Sequence, residues 1–423
     1  MSLRARCVDV PVEPLRVARA LAGEPGFVFL WNASSSGPSY AACRPVDFAT
    51  GLDPEPSLAL GGDGSTLGAC PRWVGVLPYE ARRDLERPGR TTRPDERVEP
   101  HVTAPLWARY GAVVRIGRDV TIVGDDATRI RELTALVAAA PSPRGLVRAH
   151  GLATEPDRAH EARICGALEL IVAGEIYQVN LARRFELSLE GHALDILERL
   201  ARTARAPFGT ALELGGLTIA GVSPELFLEL DARGRLVTEP IKGTRPRGKY
   251  ALEDRAQIRD LAEDPKERAE LSMVVDVERN DLGRIARIGT VRVLGTPRIE
   301  TFGTVHHRVA TVAARLRDGV DRTEVLRAML PSGSVTGAPK IRAMEIIAEL
   351  EAARRGLYTG AVGTLGHDGS LVLSMAIRTL TRREGRAHYF AGGGIVAASD
   401  PAREVLETRW KAAQLERLLL VDE

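Results

Sequence analysis

Lysine is nearly missing from this sequence: of 58 basic residues only Lys242, Lys249, Lys266, Lys340 and Lys411 are lysines, and the rest are arginine. Arginine therefore serves wherever a positive charge alone is wanted. A retained lysine marks a place that needs a compact ammonium or an amine able to lose its proton. Lys249, next to Gly248, carries no such signal. Long apolar runs are missing too. None approaches the ~20 residues needed to cross a bilayer, and the opening MSLRARCVDVPVEP lacks the apolar core of a signal peptide, so the chain reads as cytoplasmic. Cys7, Cys43, Cys70 and Cys165 are scattered without a CxxC or similar spacing, which argues against a zinc site or a disulfide framework. No charge of one sign dominates: 58 basic and 56 acidic residues leave a net charge of +2, so no strong field for nucleic acid or an anionic membrane is implied.

What is present is length and apolar content. The 423 residues, 44% of them hydrophobic, can bury a large core, as two domains or as one composite fold. Short apolar segments at 27–31, 73–77, 112–116 and 120–123 read as strands, and 87–105 as an exposed loop. The Pro- and Ala-rich stretch 138–156 is the best boundary, between an N-terminal region at 1–150 and a second region at 155–423. Beyond it, helices are expected at 160–173, 254–277, 339–351 and 401–420. Strands are expected at 178–189, 290–294 and 304–313, with hairpins from 217–230 and 235–241 and from 360–365 and 371–379. Locally paired strands with interspersed helices imply an α+β fold on antiparallel sheet.

Two carboxylate pairs stand out. Glu267 and Glu270, and Glu404 and Glu407, each have i, i+3 spacing on an expected helix, so each pair projects from one face. Alone, such pairs are the ordinary pattern of a solvated helix surface. If the two helices converge, four oxygen-rich side chains suit Mg²⁺, which takes hard oxygen ligands and keeps waters for exchange. The segment 329–340, MLPSGSVTGAPK, reads as a flexible loop running into a helix start, where backbone N–H groups and hydroxyls hold a carboxylate or where Thr336 simply caps the helix with Pro339 in its first turn. The glycines at 392–394 permit close backbone approach to a ligand. A third glycine run, at 61–68, resembles the GGDG loop of nicotinamide-nucleotide and lipid kinases. No βαβ pattern follows it, so it reads as a surface turn.

In order along residues 160–415 stand GEIYQVNLARRF, SPELF, EPIKGTRPRG, KERAELSMVVDVERNDLGRIA, GSVTGAPKIRAMEII, GLYTGAVG, AIRTL and AGGGIVAASDPAREVLET; RWVGVLPYE lies nearer the N-terminus. Together they resemble the chorismate-utilising enzymes, which include the large subunits of anthranilate and aminodeoxychorismate synthases and the isochorismate and salicylate synthases. The resemblance implies a composite, anthranilate-synthase-like α+β fold with two large packed antiparallel sheets flanked by helices. It also implies roles. Glu270 and Glu407 match magnesium ligands, with Glu267 and Glu404 adjoining. Lys411 matches a lysine near the ring carboxylate, Arg378 and Tyr358 match groups on the enolpyruvyl carboxylate, and Thr244, Gly243 and the Gly392, Gly393 and Gly394 backbone match further substrate contacts. Glu225 matches the general acid at the C4 hydroxyl.

Two positions choose among the family's chemistries. Members that add water at C2 carry a lysine base where this chain has Gln178, which cannot deprotonate water, so isochorismate and salicylate formation are disfavoured. Anthranilate synthases read PIAGT where this chain reads Pro240-Ile241-Lys242-Gly243-Thr244, the form typical of aminodeoxychorismate synthases. A neutral Lys242 amine can attack C2 of chorismate as the C4 hydroxyl leaves, after which ammonia adds at C4 and expels the lysine. Magnesium and a nearby arginine such as Arg245 are expected to lower the amine's pKa. His307 matches the histidine that anthranilate synthases use when pyruvate is eliminated, so anthranilate formation is the alternative. No cysteine lies in a G-x-C-x-G turn, so ammonia is expected from solution or from a separate glutamine amidotransferase subunit. The inhibitor-binding LLES-type motif of anthranilate synthases is not evident near WNASSSG at 31–37.

Overall fold

Alternate residues of the early strands send their side chains to two different cores. In strand Val28–Asn32, Val28 joins one hydrophobic cluster, and Phe29 joins another. In Ala112–Ile116, Val113 and Val114 divide in the same way, as the period of two along a strand requires. The chain is described from a computed structural model, for residues 3–33, 37–61, 67–82, 97–202, 206–303 and 305–420. Most of the 87–105 loop, the centre of the 61–68 glycine run, Ser34 to Ser36 and Thr304 lie outside the described residues.

Among the described residues the strands form antiparallel sheets of twelve, nine and three strands. Val28, Val113, Leu212 and Ile219 of the twelve-stranded sheet share a cluster with Val74, Val76 and Val362 of the nine-stranded sheet, so the two large sheets pack face to face. Helices cover the outer faces. Ala193–Ala201 lies on the first sheet, and Pro265–Ile285 and Arg322–Met329 lie on the second. The expected α+β fold with two large packed sheets is therefore the observed one. Both sheets run through the expected boundary: Val28–Asn32 pairs with Phe208–Leu214, and Pro71–Leu77 with Ala361–Gly366. Part of the boundary stretch is itself the strand Arg148–Thr154, paired with Gln178–Glu190. Among the described residues no helix is long and apolar enough to cross a membrane, and all four cysteines are free thiols.

Several expected elements are divided, each at a place that matters for the site. The helix expected at 254–277 is two, Ala251–Glu263 and Pro265–Ile285. Pro265 has no N–H to continue the first helix and disfavours helical backbone at Asp264. Asp264 instead caps the second helix, accepting from Lys266 N at 2.8 Å and Glu267 N at 3.1 Å. The strand expected at 217–230 breaks at Pro224: Leu217–Ser223 belongs to the twelve-stranded sheet and Leu226–Leu230 to the nine-stranded one. Glu225 thus sits where the chain crosses between sheets. Similarly, 304–313 divides into Val305–Val309 of the small sheet and Val312–Arg315 of the nine-stranded one. Thr336 does not cap a helix: its hydroxyl donates to Ser332 O at 2.8 Å, and the helix Lys340–Leu350 follows Pro339 with no side-chain cap.

Candidate active site

Three elements bring the expected side chains together. Strand Gln178–Glu190 supplies Gln178, strand Arg386–Val396 pairs with it and supplies the three glycines, and strand Ile241–Pro246 of the small sheet supplies Lys242, Gly243 and Thr244. A Cβ built on Gly394 meets Gln178 Nε2 at 2.6 Å and Lys242 Nζ at 3.5 Å. A Cβ on Gly393 meets Glu404 Oε2 at 2.9 Å, and Glu407 Oε1 lies 3.6 Å away. Glycine at these positions is what lets these side chains reach the strand. Gly243, at φ 84°, turns the chain beneath Glu267, whose Oε2 lies 3.0 Å from where a Cβ would stand.

The helices Pro265–Ile285 and Pro401–Ala412 do converge. Glu270 and Glu404 are both pushed up, first by burial, and Glu270 further by the charges of Glu267 and Glu404, with Lys242 and Lys266 opposing. Glu407 moves the other way, held down by Lys411, whose Nζ is 2.6 Å from its Oε1. Lys411 Nζ also donates to Gly392 O at 2.7 Å, and Lys266 Nζ lies 3.7 Å from Glu270 Oε1. Three of the five lysines therefore face this acidic cluster, the fourth being Lys340, which is buried and donates to Asp281 Oδ2 at 2.6 Å. The mutual crowding of Glu267, Glu270, Glu404 and Glu407 is a charge distribution that a divalent cation relieves, and its donors are the hard oxygens magnesium takes. Among the described residues no group of three or more His, Cys, Asp or Glu side chains closes on one point. One or two carboxylates completed by water and substrate is the usual manner of magnesium binding.

Lys242 is half-buried. Burial depresses its pKa first, aided by Lys411, against the opposing charges of Glu270, Glu225 and Glu407. Arg245 does not take the expected part. Its guanidinium is engaged by Asp260, Asp264 and Glu267 at 2.5, 2.7 and 3.3 Å, because the helix break at Asp264 carries those carboxylates to it. Glu225 is buried and raised to about 7, chiefly by desolvation, although Ser334 Oγ donates to its Oε1 at 2.6 Å and Lys242 also opposes the rise.

His307 is buried and lowered to about 3, by desolvation and then by Arg378, so its ring is neutral. Its Nδ1 lies 3.0 Å from Thr244 Oγ1 and 3.4 Å from Gly243 O, and Arg378 Nη2 lies 3.5 Å from its Nε2. A proton on Nδ1 leaves Nε2 to accept from the arginine. Arg378, at φ 50°, has no carboxylate partner among the described residues, which suits it to an anionic ligand. Tyr358 stacks on Phe390 with centroids 5.3 Å apart.

Residues not singled out from the sequence hold this arrangement in place. Arg355, buried, pairs with Glu351 at 2.6 Å and donates to Asn180 O, Val335 O and Thr359 Oγ1, while Glu351 accepts from Ala182 N at 2.9 Å. One ion pair thus ties the Gln178 strand to the 333–335 turn and to the residue after Tyr358. That turn does hold carboxylates, though the protein's own. Ser334 takes Glu225, and Ser332 Oγ and Gly333 N take Glu278 Oε1 at 2.6 and 2.9 Å. Glu278 lies within KERAELSMVVDVERNDLGRIA, and only its contacts with Ser332 and Gly333 distinguish it from the motif's other acidic residues.

Over residues 45–417 the sequence matches the family of chorismate binding enzymes. It is 39% identical to an aminodeoxychorismate synthase of Streptomyces griseus, over 82% of this chain and 50% of that one, so it spans about half the length of that relative. It is 37% identical to anthranilate synthase component 1 of Streptomyces coelicolor, over 97% of this chain and 87% of that one. Among solved structures it is similar to anthranilate synthase component I from Streptococcus pneumoniae TIGR4, with a TM-score of 0.73 and 27% identity over 97% of this chain and 91% of that one.

Proposed function

The chain belongs to the chorismate binding enzymes, and from that premise we propose that it aminates chorismate at C4 to give 4-amino-4-deoxychorismate, as component I of an aminodeoxychorismate synthase. The observation that carries this reading is that Lys242 and Glu225 lie close enough for each to feel the other's charge. Burial depresses the lysine and raises the glutamic acid to about 7, so the site brings together an amine made easier to deprotonate and an acid still able, near neutral pH, to protonate a leaving hydroxyl.

In the proposed reaction the neutral Lys242 amine attacks C2, the ring double bond shifts, and the C4 hydroxyl departs as water with a proton from Glu225. Ammonia then adds at C4 and the C2–Nζ bond breaks. Arg378 and Tyr358 hold the enolpyruvyl carboxylate. Lys411, Thr244, Gly243 and the Gly392–Gly394 backbone hold the ring and its carboxylate, and Gln178 lines the C2 side without acting as a base. Glu270 and Glu407 would hold Mg²⁺, with Glu267 and Glu404 beside them. When bound, it supplies positive charge to the ring carboxylate. Ammonia comes from solution or from a separate glutamine amidotransferase subunit, since the sequence has no G-x-C-x-G nucleophile turn.

A second reading, anthranilate formation with loss of pyruvate, is favoured by one observation: a neutral His307 stands beside Thr244 and Arg378. The two are separated by identifying the product made by the purified protein from chorismate, Mg²⁺ and ammonium. Chorismate without ammonia should also leave the dehydrated substrate attached to the peptide containing Lys242.

A further inference from the structure

Glu225 is one end of a buried chain of polar groups. Its Oε1 is 2.6 Å from Ser334 Oγ, Ser334 Oγ is 2.9 Å from Ser332 Oγ, and Ser332 Oγ is 2.6 Å from Glu278 Oε1. All four residues are buried, Glu278 completely. Counting protons constrains the chain. Three links need three hydrogens, and two serine hydroxyls supply only two, since each hydroxyl donates once. The third must come from a carboxyl group, at Oε1 of Glu225 or of Glu278. Moving it from one end to the other requires only that each serine pass its own hydrogen along and take its neighbour's.

We propose that Glu278 is a proton-storing residue that reloads Glu225 through Ser332 and Ser334, so that the acid serving the C4 hydroxyl is the four-residue chain and not Glu225 alone. This rests on the functional reading above for its substrate, though not for the proton sharing itself. As the C4–O bond breaks, the proton on the Glu225 oxygen not engaged by Ser334 goes to the leaving oxygen, which departs as water. The Ser334 proton passes to Glu225 Oε1, the Ser332 proton to Ser334, and the Glu278 proton to Ser332. Glu225 ends neutral and Glu278 ends as the carboxylate. When ammonia adds at C4, its surplus proton returns to Glu225 and the chain runs backwards, so the cycle closes with no outside acid or base.

The gain is electrostatic. Chorismate brings two carboxylates into the cleft, and a fresh charge on Glu225 would face them. At Glu278 that charge faces Lys340, with Gly333 N donating to the same oxygen at 2.9 Å. The groups facing Glu278 are Asp281 on its own helix, Lys340 on helix Lys340–Leu350, and Glu225; those facing Glu225 are Lys242 and Glu278. Burial raises both glutamates, Asp281 raises Glu278 further, and Lys340 opposes, which leaves both able to carry a proton near neutrality. Glu278 Oε2 has no hydrogen-bond partner among the described residues, so this carboxyl exchanges protons only through Oε1.

The test is a proton inventory, the single-turnover rate of the full chain with chorismate, Mg²⁺ and ammonium across mixtures of light and heavy water. Several protons in flight give a bowed dependence in the wild type. Ser334→Ala should give a straight line with kcat at least tenfold lower and KM unchanged, and Ser334→Thr, which keeps the hydroxyl, should restore the bow. A wild-type dependence that is straight or flat, or a bow that survives in Ser334→Ala, overturns the relay. Infrared titration of the carboxylic acid bands judges the proton sharing without any turnover. Removing the neighbouring charge with Glu278→Gln should lower the pH at which the Glu225 band disappears, and an unchanged midpoint overturns the coupling. Coupling in the infrared with no chorismate consumed would leave the proton-sharing pair standing and defeat the functional reading instead.

Discussion

Gln178 and Lys242 flank one glycine: from a Cβ on Gly394 the amide of Gln178 stands 2.6 Å away and the amine of Lys242 3.5 Å. The residue that cannot activate water and the residue proposed to attack C2 therefore share one wall of the cleft. Gly394→Ala should drive the Gln178 amide out of place and crowd Lys242. We expect about a 10- to 100-fold loss of chorismate turnover, with circular dichroism unchanged. Wild-type turnover in this variant would mean that the two side chains do not meet over the substrate.

The acidic cluster should reveal itself through magnesium. Glu270→Gln or Glu407→Gln should abolish most turnover and raise the Mg²⁺ concentration needed for half-maximal rate, since each removes a hard anionic donor. Glu407→Gln should also remove the carboxylate 2.6 Å from the Lys411 ammonium, leaving that ammonium on Gly392 O. If both variants keep the wild-type magnesium dependence, these two glutamates are not the ligands.

The pH dependence follows from two opposite shifts. In the proposed reaction Glu225 acts while protonated, and with its carboxyl raised to about 7 the rate should fall as pH rises through that value. The proposed nucleophile Lys242 must be neutral to attack, and burial lowers the pH at which it becomes so, so the rate should also fall toward acid. The profile of kcat is therefore a bell. Glu225→Gln should cost about 100-fold or more, and its residual rate should lose the alkaline limb. Stability moves too. A carboxyl raised from the ordinary range stabilises the fold at low pH, and that contribution fades as pH rises from about 4.5 through 7. Glu225→Gln, permanently neutral, should therefore melt higher than the wild type at pH 8, by about 1–2 °C. An equal or lower melting temperature there would contradict the assigned shift.

Much of this site was legible in the sequence because its chemistry lies in short motifs. The i, i+3 glutamates needed only helical geometry, and the scarcity of lysine pointed at Lys242, Lys266, Lys340 and Lys411. What stayed hidden depended on contacts between distant segments. Nothing local announces that Ser334 meets Glu225 across 109 positions, or that Glu351 reaches back to Ala182. Arg245 turns to carboxylates and away from Lys242 because of the helix break at Asp264–Pro265, which apolar periodicity running past the proline conceals. Its carboxylate partners, Asp260, Asp264 and Glu267, flank that break. The Pro224 break had the same cause, apolar periodicity continuing on both sides of a proline, and it hid the crossover that carries Glu225 between the sheets.

Ammonia supply gives a prediction independent of the cleft. The isolated chain should use ammonium salts, and glutamine only after a glutamine amidotransferase subunit is added. Glutamine-dependent turnover by the rigorously pure chain would require a nucleophile that the sequence does not display.

By the proposed route Lys242 attacks C2 and so directs nitrogen to C4. An amine bonded at C2 blocks the carbon that must receive nitrogen to make anthranilate. Lys242→Ala should slow amination greatly. Lys242→Arg should be about as harmful, because a guanidinium stays protonated and cannot attack. The direct measurement is mass spectrometry of the products formed by the wild-type chain from chorismate, Mg²⁺ and ammonium, with pyruvate release followed alongside. Attack by Lys242 at C2 should give 4-amino-4-deoxychorismate with its enolpyruvyl group intact, and 4-aminobenzoate with pyruvate only after a separate lyase is added. Anthranilate with stoichiometric pyruvate from the wild-type chain alone would rule out attack at C2 and return Lys242 to a structural role.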